Sequence, residues 1–428
     1  MGSNLPRIAC AIFGRSAQRW WAPVLLLSVL LGYAAPARAY EWMIRHGETQ
    51  CANCHADPSG GELLTKYGRA QGNRLLQMIY TRADRAPPAG AGTSSPRPAI
   101  TPSRNGFLWG AWDTPDWLLL GGALRGAAFV NSQLSVFPMQ IDGYAQVKFG
   151  RFRAGGSLGV AKISPNSPNG RAAFVTRDQG DGINMMSRTH WVALDLGARR
   201  DWTLRAGRIN LPFGLRVPEH YLWVRDVTRT DRDSDQHEGL SLAYNNRWLR
   251  AEVQAIAGNY QIRPDRYRER GYSGFAEYLI GDGIGVGASS LFTEAHADRI
   301  SFEQEKTRRG VHGVFYRQRV IKPVVVLAEA DLMHISRRQL GYVGFAQADY
   351  EPLRGLHLIA TVEVLDQGLH DPAHVGIHYE SLAGAGKPRA GAWLSADWFF
   401  YSQLELRVDG VFRQDTGAYV LAQIHAYL

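Results

Sequence analysis

The chain has 428 residues, 20% of them charged and 45% hydrophobic, with 48 basic and 39 acidic side chains for a net charge of +9. That excess is modest for the length, so a polyanion-binding surface is excluded and no nucleic-acid partner is expected. Three cysteines are too few for a fold built on disulfides.

Residues 1–39 place Arg7, Arg15 and Arg19 ahead of an apolar run from Val24 to Leu31, with Ala37 and Ala39 as small residues before Tyr40. This is the pattern of a secretory signal peptide. A retained membrane helix needs about 20 continuous apolar residues, and Pro and Gly interrupt the stretch from Trp20 to Ala35. Cleavage would take away Arg7, Arg15, Arg19 and Arg38 and no acidic residue, lowering the charge from +9 to +5. It would also remove Cys10, leaving only Cys51 and Cys54.

Those two lie in Cys51-Ala52-Asn53-Cys54-His55. Thiols at this spacing can each add across a haem vinyl group, and the histidine that follows can ligate the iron. A zinc half-site would need a second pair of ligands, and no cysteine remains downstream to supply one. The expectation is one covalently attached haem c, with Cys51, Cys54 and His55 binding the cofactor and His55 binding its metal. Asp57-Pro58-Ser59-Gly60-Gly61 reads as a turn. Leu63, Leu64, Tyr67, Leu75, Leu76 and Ile79 then give a pattern compatible with helical turns on each side of Gly68 and Gly72. Residues 40–80 thus read as a small α-helical monohaem cytochrome c segment, too short to bury a core without its haem. Met78 and His46 are the reachable candidates for a sixth iron ligand. Residues 81–105, with Pro87, Pro88, Pro96, Pro98 and Pro102, read as a linker.

From residue 106 to 428 the pattern changes to segments of about ten residues in which apolar and polar positions alternate. Leu404, Leu406, Val408 and Phe412 alternate with Glu405, Arg407, Asp409 and Arg413, and Ala251 and Val253 with Arg250, Glu252 and Gln254. Such strands suit a wall between lipid and water, although a soluble β-sandwich shares the period. Strands are expected over 118–130, 139–150, 151–163, 187–199, 201–209, 236–246, 247–258, 272–281, 282–293, 309–319, 321–333, 340–350, 355–366, 388–400, 402–414 and 417–428. Their connections alternate between tight turns, such as Asn246-Arg247 and Gly281-Asp282, and long loops, such as Asn210 to Asp235 and Gln367 to Lys387. That asymmetry predicts an all-β fold, a transmembrane antiparallel β-barrel of about 16 strands, with its short turns in the periplasm and its long loops outside. Trp109, Trp112, Trp117, Trp191, Trp202, Trp248, Trp393, Trp398, Phe399, Phe400 and Tyr401 fall near strand ends, where interfacial girdles belong.

The stretch from Ile44 through the haem motif to Leu63 and Tyr67-Gly68-Arg69, followed by this barrel pattern, resembles the outer-membrane porin–cytochrome c fusion family. The resemblance implies one c-type haem carried by a single-chain barrel, as in the iron-oxidising outer-membrane cytochromes. Asp57-Pro58-Ser59-Gly60-Gly61 looks like a variant shared by related monohaem barrel proteins rather than by the iron oxidisers. The segment Arg205 to Arg216 is similar to segments in porins.

Two further groupings stand in expected external loops. His370, His374 and His378 could bind a metal if helical, against Pro372 and Gly376. Asp231, Asp233 and Asp235 could share a divalent cation with lipopolysaccharide, although Arg229 and Arg232 already balance them. No nucleophile elbow, phosphate loop or zinc-protease pair is present, so an electron-transfer protein is expected rather than a turnover enzyme. The expected role is electron transfer across the outer membrane between an extracellular donor or acceptor, iron being one, and a periplasmic carrier, with membrane lipid as the surrounding partner. The alternatives are a solute porin with a haem-bearing periplasmic gate and a barrel-anchored haem sensor. Where the segment sits follows from lengths: a lipid-facing band is about 25 Å tall, so a haem left hanging in the periplasm would not bridge it. The haem segment is therefore expected at the periplasmic side or as a plug in the lumen, against an inward face that includes Arg250, Glu252, Glu405 and Arg407.

Overall fold

The computed structural model describes residues 41–76, 106–161, 175, 183–232, 235–259, 266–299, 304–337, 339–368 and 387–428. The signal-like stretch 1–39, the linker 81–105, Met78, Asp233 and the three histidines His370, His374 and His378 lie outside them.

Seventeen strands follow one another among the described residues. They are β1 (Leu118–Val130), β2 (Leu134–Phe149), β3 (Phe152–Ala161), β4 (Asn184–Met186), β5 (His190–Leu196), β6 (Trp202–Asn210), β7 (Gln236–Asn245), β8 (Leu249–Gly258) and β9 (Arg270–Ile280). Then come β10 (Ile284–Ala295), β11 (Thr307–Ile321), β12 (Val324–Ile335), β13 (Gly341–Leu353), β14 (Leu356–Asp366), β15 (Arg389–Tyr401), β16 (Leu404–Arg413) and β17 (Gly417–Tyr427). Every pairing is antiparallel, and β1 pairs with both β2 and β17, so the sheet closes on itself. Both β4 and β5 pair with β3, occupying one row in succession, so the 17 strands make a wall of 16.

Exposure decides between barrel and sandwich. Leu394 is 73% and Val362 58% exposed on the outer face, while Glu277 and Asp349 are fully buried on the inner one. A soluble protein cannot afford that inversion, whereas a wall facing lipid outside and polar groups inside requires it. Arg250, Glu252, Glu405 and Arg407 are all buried on the inner face, as the alternation implies. Among the described residues no helix is long and apolar enough to cross a membrane.

Three local expectations differ. The connection before β2 is only Asn131–Gln133, because β2 begins at Leu134 rather than near 139. Pro138 lacks an amide hydrogen, and the sheet accommodates it where the register shifts between Arg125 and Gly126. The strand expected over 187–199 is broken at Ser187 to Thr189, where the Ser157 hydroxyl accepts from the amides of Arg188 and Thr189, 3.0 Å each. The girdle is also smaller than expected. Trp109, Trp112, Trp117, Trp202, Trp248 and Tyr401 are exposed, but Trp191, Trp393 and Phe399 are buried. Trp393 Nε1 donates to Glu363 at 2.8 Å. One step along a strand exchanges inner and outer faces, so nearness to a strand end does not settle which way a ring points.

Two segments fill the inner space. Residues 41–76 contain a 3-10 helix (Glu41–His46), the short helix α1 (Cys51–Cys54) and α2 (Lys66–Leu75), which runs through Gly68 and Gly72 instead of breaking at them. The second is 211–232, within a stretch expected as an external loop but folded inward. Leu211, Phe213, Leu215, Val217, Leu222 and Trp223 are buried and share one apolar cluster with Trp42, Met43 and Ile44. The tripled aspartates are corrected with it: Asp235 pairs with Arg299 and Asp231 Oδ1 lies 2.9 Å from His220 Nδ1, both inside. Among the described residues no group of acidic, histidine or cysteine side chains is arranged to hold a metal ion.

Candidate functional site

The Cys51–Cys54 turn is held from three directions. His55 donates its amide to Cys51 O at 2.9 Å, and Thr65 donates its amide to Cys54 O at 2.9 Å and its hydroxyl to Asn53 O at 2.7 Å. Thr65 also caps α2, its hydroxyl accepting from Gly68 N at 3.0 Å. Gly68 permits the two helices to touch, since a Cβ there would stand 2.2 Å from Cys54 O. The run Asp57 to Gly61, expected as a simple turn, anchors the whole segment. Asp57 accepts from Ser59 N and Oγ, 2.9 Å each, and pairs with Arg205 of β6 at 3.2 Å. Ser59 Oγ in turn accepts from Arg216 of the inward loop at 2.6 Å. Burial works against the Asp57 carboxylate, but Arg205 and Arg216 outweigh it and hold its pKa at about 2.

Contacts reach most of the way round the wall. Arg45 pairs with Asp349 and Glu351 of β13, the latter at 2.7 Å, and the Trp42 ring stacks on His357 of β14 at 4.0 Å. Glu41 meets Arg317 of β11 at 2.7 Å, Gln50 donates to Asn246 O at 2.5 Å, and Asn73 Oδ1 accepts from Ser402 and Gln403 at 2.5 and 2.6 Å. Asn246, Ser402 and Gln403 belong to tight turns, so the segment sits at the short-turn end of the barrel. The loop 211–232 descends from the other end to meet it, with Arg216 N donating to Glu41 Oε1 at 3.1 Å.

His55 lines a partly open space beside the closing seam of the barrel. Its walls include Leu63, Leu64 and Leu76 of the segment, Gly121 to Ala123 of β1, Phe399 of β15 and His425 of β17. Three guanidinium groups, Arg69, Arg125 and Arg232, face the same space. His55 also lines a second, more open space of about 1020 Å³ beside Lys66, Lys148, Arg153 and Arg200. Burial, with Arg232 nearby, lowers the His55 pKa to about 4, so its imidazole is neutral and able to ligate a metal at neutral pH. His55 Nδ1 is buried without a hydrogen-bond partner. Burial also pushes the Cys51 and Cys54 thiols up to about 11 and 12. The two are free of any disulfide, and Cys51 Sγ lies against Gly60 rather than in the space beside the seam.

The residue types, two free thiols on one helical turn, a neutral histidine beside them and guanidinium groups nearby, have the chemistry of a c-type haem site, and neither thiol lines the space that His55 and His425 share. Of the two sixth-ligand candidates, Met78 lies outside the described residues, and His46 is absent from the walls of the space that His55 lines.

No family model and no curated protein matches the sequence. Among solved structures the chain is similar to OmpT, an outer membrane protein of Vibrio cholerae, at 9% identity and a TM-score of 0.52 over 73% of this chain and 99% of that one. Outer-membrane-expressed OmpT of the same organism gives the same score over 74% and 99%. An anion-selective porin from Comamonas acidovorans follows at 11% identity, TM-score 0.49, over 73% and 99%. At these identities the likeness to OmpT shows a shared barrel fold.

Proposed function

We propose that this chain is a porin-type barrel of the outer membrane whose own N-terminal segment occupies the lumen, carries a haem c on Cys51, Cys54 and His55, and passes electrons between a redox partner outside and a periplasmic carrier. The observation that supports this reading is that the Cys-x-x-Cys-His turn is tied to the barrel wall by buried ion pairs instead of trailing on the linker. When bound, the haem would supply one-electron chemistry. The chain's own residues hold His55 neutral and set arginines beside the space it lines. The opening beside His55 lies at the short-turn end, where Lys148 and Arg200 add positive charge to the ion pairs Lys66–Asp116 and Arg153–Asp195, and it suits an acidic carrier protein.

A second reading is a solute porin in which the same segment is a gate. The comparisons favour it, because the likeness to solved outer-membrane proteins is a likeness of the barrel and says nothing for a haem. What favours electron transfer is the pair of segments that occupies the lumen from both ends. The test is the protein reconstituted in liposomes enclosing a redox dye. Haem-dependent reduction or oxidation of the dye by an external reagent, with little passage of small solute, supports the conduit. Open-porin conductance with no coupling that depends on His55 supports the gate.

A further inference from the structure

Strand register lines up four polar residues on the inner face across the closing seam of the barrel. Arg125 of β1 stands opposite Gln140 of β2 and opposite His425 of β17, and His425 stands opposite Glu405 of β16. His425 is buried and lines the same space as His55. Its Nε2 is buried without a hydrogen-bond partner, as is Nδ1 of His55. Two imidazoles on the walls of one apolar space, each with a ring nitrogen left over, are an arrangement that folding alone does not reward, because a buried polar atom without a partner costs about 1–3 kcal/mol. A metal bound at His425 Nε2 would remove that cost at this ring.

We propose that His425, on the last strand, is the sixth ligand of the iron whose fifth ligand is His55. The proposal rests on the haem reading above. Two features orient the ring. It packs against Tyr427, the rings tilted with centroids 3.8 Å apart, and its Nδ1 faces Arg125 Nη2 at 3.1 Å and accepts from Arg125 Nε at 3.4 Å. Ligation through Nε2 takes the tautomer that carries its proton on Nδ1, so binding would release Arg125 to its other partner, His220, and turn that proton toward Glu405, whose Oε2 lies 3.6 Å away and accepts from the Tyr427 hydroxyl at 2.9 Å. Glu405 is therefore a positioning residue. It would raise the basicity of His425 and stabilise the oxidised iron.

The test is spectroscopic, on the full chain purified after co-expression with a haem c maturation system. The wild type should carry covalent haem, be low-spin in both oxidation states, show a bis-histidine signature and fail to bind carbon monoxide. His425→Ala should keep its covalent haem stain and its heat-modifiable migration, become high-spin and bind carbon monoxide, and return to low spin on adding imidazole. His425→Met should stay low-spin with a methionine–iron signature and a raised potential, which also serves if the alanine variant does not fold. Glu405→Gln should keep the bis-histidine spectrum and raise the potential. A haem-loaded wild type that is high-spin, or a His425→Ala spectrum that stays low-spin while His46→Ala or Met78→Ala changes it, overturns the assignment and leaves the haem reading intact. A wild type without covalent haem removes the haem reading, and this assignment with it.

Discussion

Arg317 on β11 reaches Glu41 of the N-terminal segment, Nη1 to Oε2 at 2.7 Å, while its Nε holds Glu277 of β9 at 2.6 Å. All three side chains are buried, so the guanidinium is shared between the wall and the segment inside it. Removing one member of such a group leaves an uncompensated charge at a cost of about 3 kcal/mol or more. Glu41→Ala should therefore loosen the segment by that order. In planar bilayers the variant should show more frequent or larger ion conductance than the wild type, and an unchanged conductance would mean that the segment is held without this pair.

Acidity should act through the same carboxylate. Burial alone would raise the pKa of Glu41, but Arg317 and Arg250 outweigh it and hold it below its ordinary 4.5. The released segment therefore binds more protons than the docked one as pH falls. The contribution to docking is complete above the ordinary value and is lost as pH drops through the lowered one. Conductance of the wild type should stay flat from neutral pH down to the ordinary carboxylate range and rise below it. Glu41→Gln should start from a higher conductance and show a smaller rise.

Trp42 tests the apolar share of the docking. Its ring stacks on His357 and belongs to the cluster that joins the segment to the inward loop. Trp42→Ala should cost about 3–5 kcal/mol of docking. Limited proteolysis of the reconstituted protein should then cut within residues 41–76 many times faster, with the barrel core intact.

Gly121 tests close approach. A Cβ there would meet Leu63 Cδ1 at 2.8 Å. Gly121→Ala should cost about 1–3 kcal/mol through overpacking, and Gly121→Val more. Both should accelerate the same proteolysis, whereas an alanine at Gly410, whose Cβ would meet only Leu394 O at an ordinary 3.6 Å, should not.

Topology can be read by labelling. Ser132 and Glu305 are exposed at the long-loop end and Lys322 at the short-turn end. In intact cells a membrane-impermeant thiol reagent should reach Ser132→Cys and Glu305→Cys and miss Lys322→Cys. The reverse pattern would invert the barrel and move the N-terminal segment to the outer side.

The wall was legible because a strand between lipid and a polar interior must alternate, and Leu404 to Asp409 alternates without a break. The inward loop was not. Leu211, Phe213, Leu215 and Val217 alternate too, a pattern that a solvated loop has no reason to keep, but the neighbouring aspartates read as an exterior cation site. Their partners, His220 for Asp231 and Arg299 for Asp235, are brought near only by the fold. Asp57 was likewise hidden, because its partner Arg205 is remote in sequence and reaches it only once the segment is inside the barrel. His425 carried no signal at all: it stands in an alternating strand like any inward polar residue, and only the register of β1, β16 and β17 brings it beside Arg125 and Glu405.

Arg69 of α2 donates to Leu120 O on the first strand and reaches Leu428 O, just past the last, at 3.5 Å. The segment is thus clasped where the cylinder zips shut, so it has to be in position while that gap is still open. The clasp ties docking of the segment to closure of the sheet, so a change that loosens either end of the seam also loosens the segment.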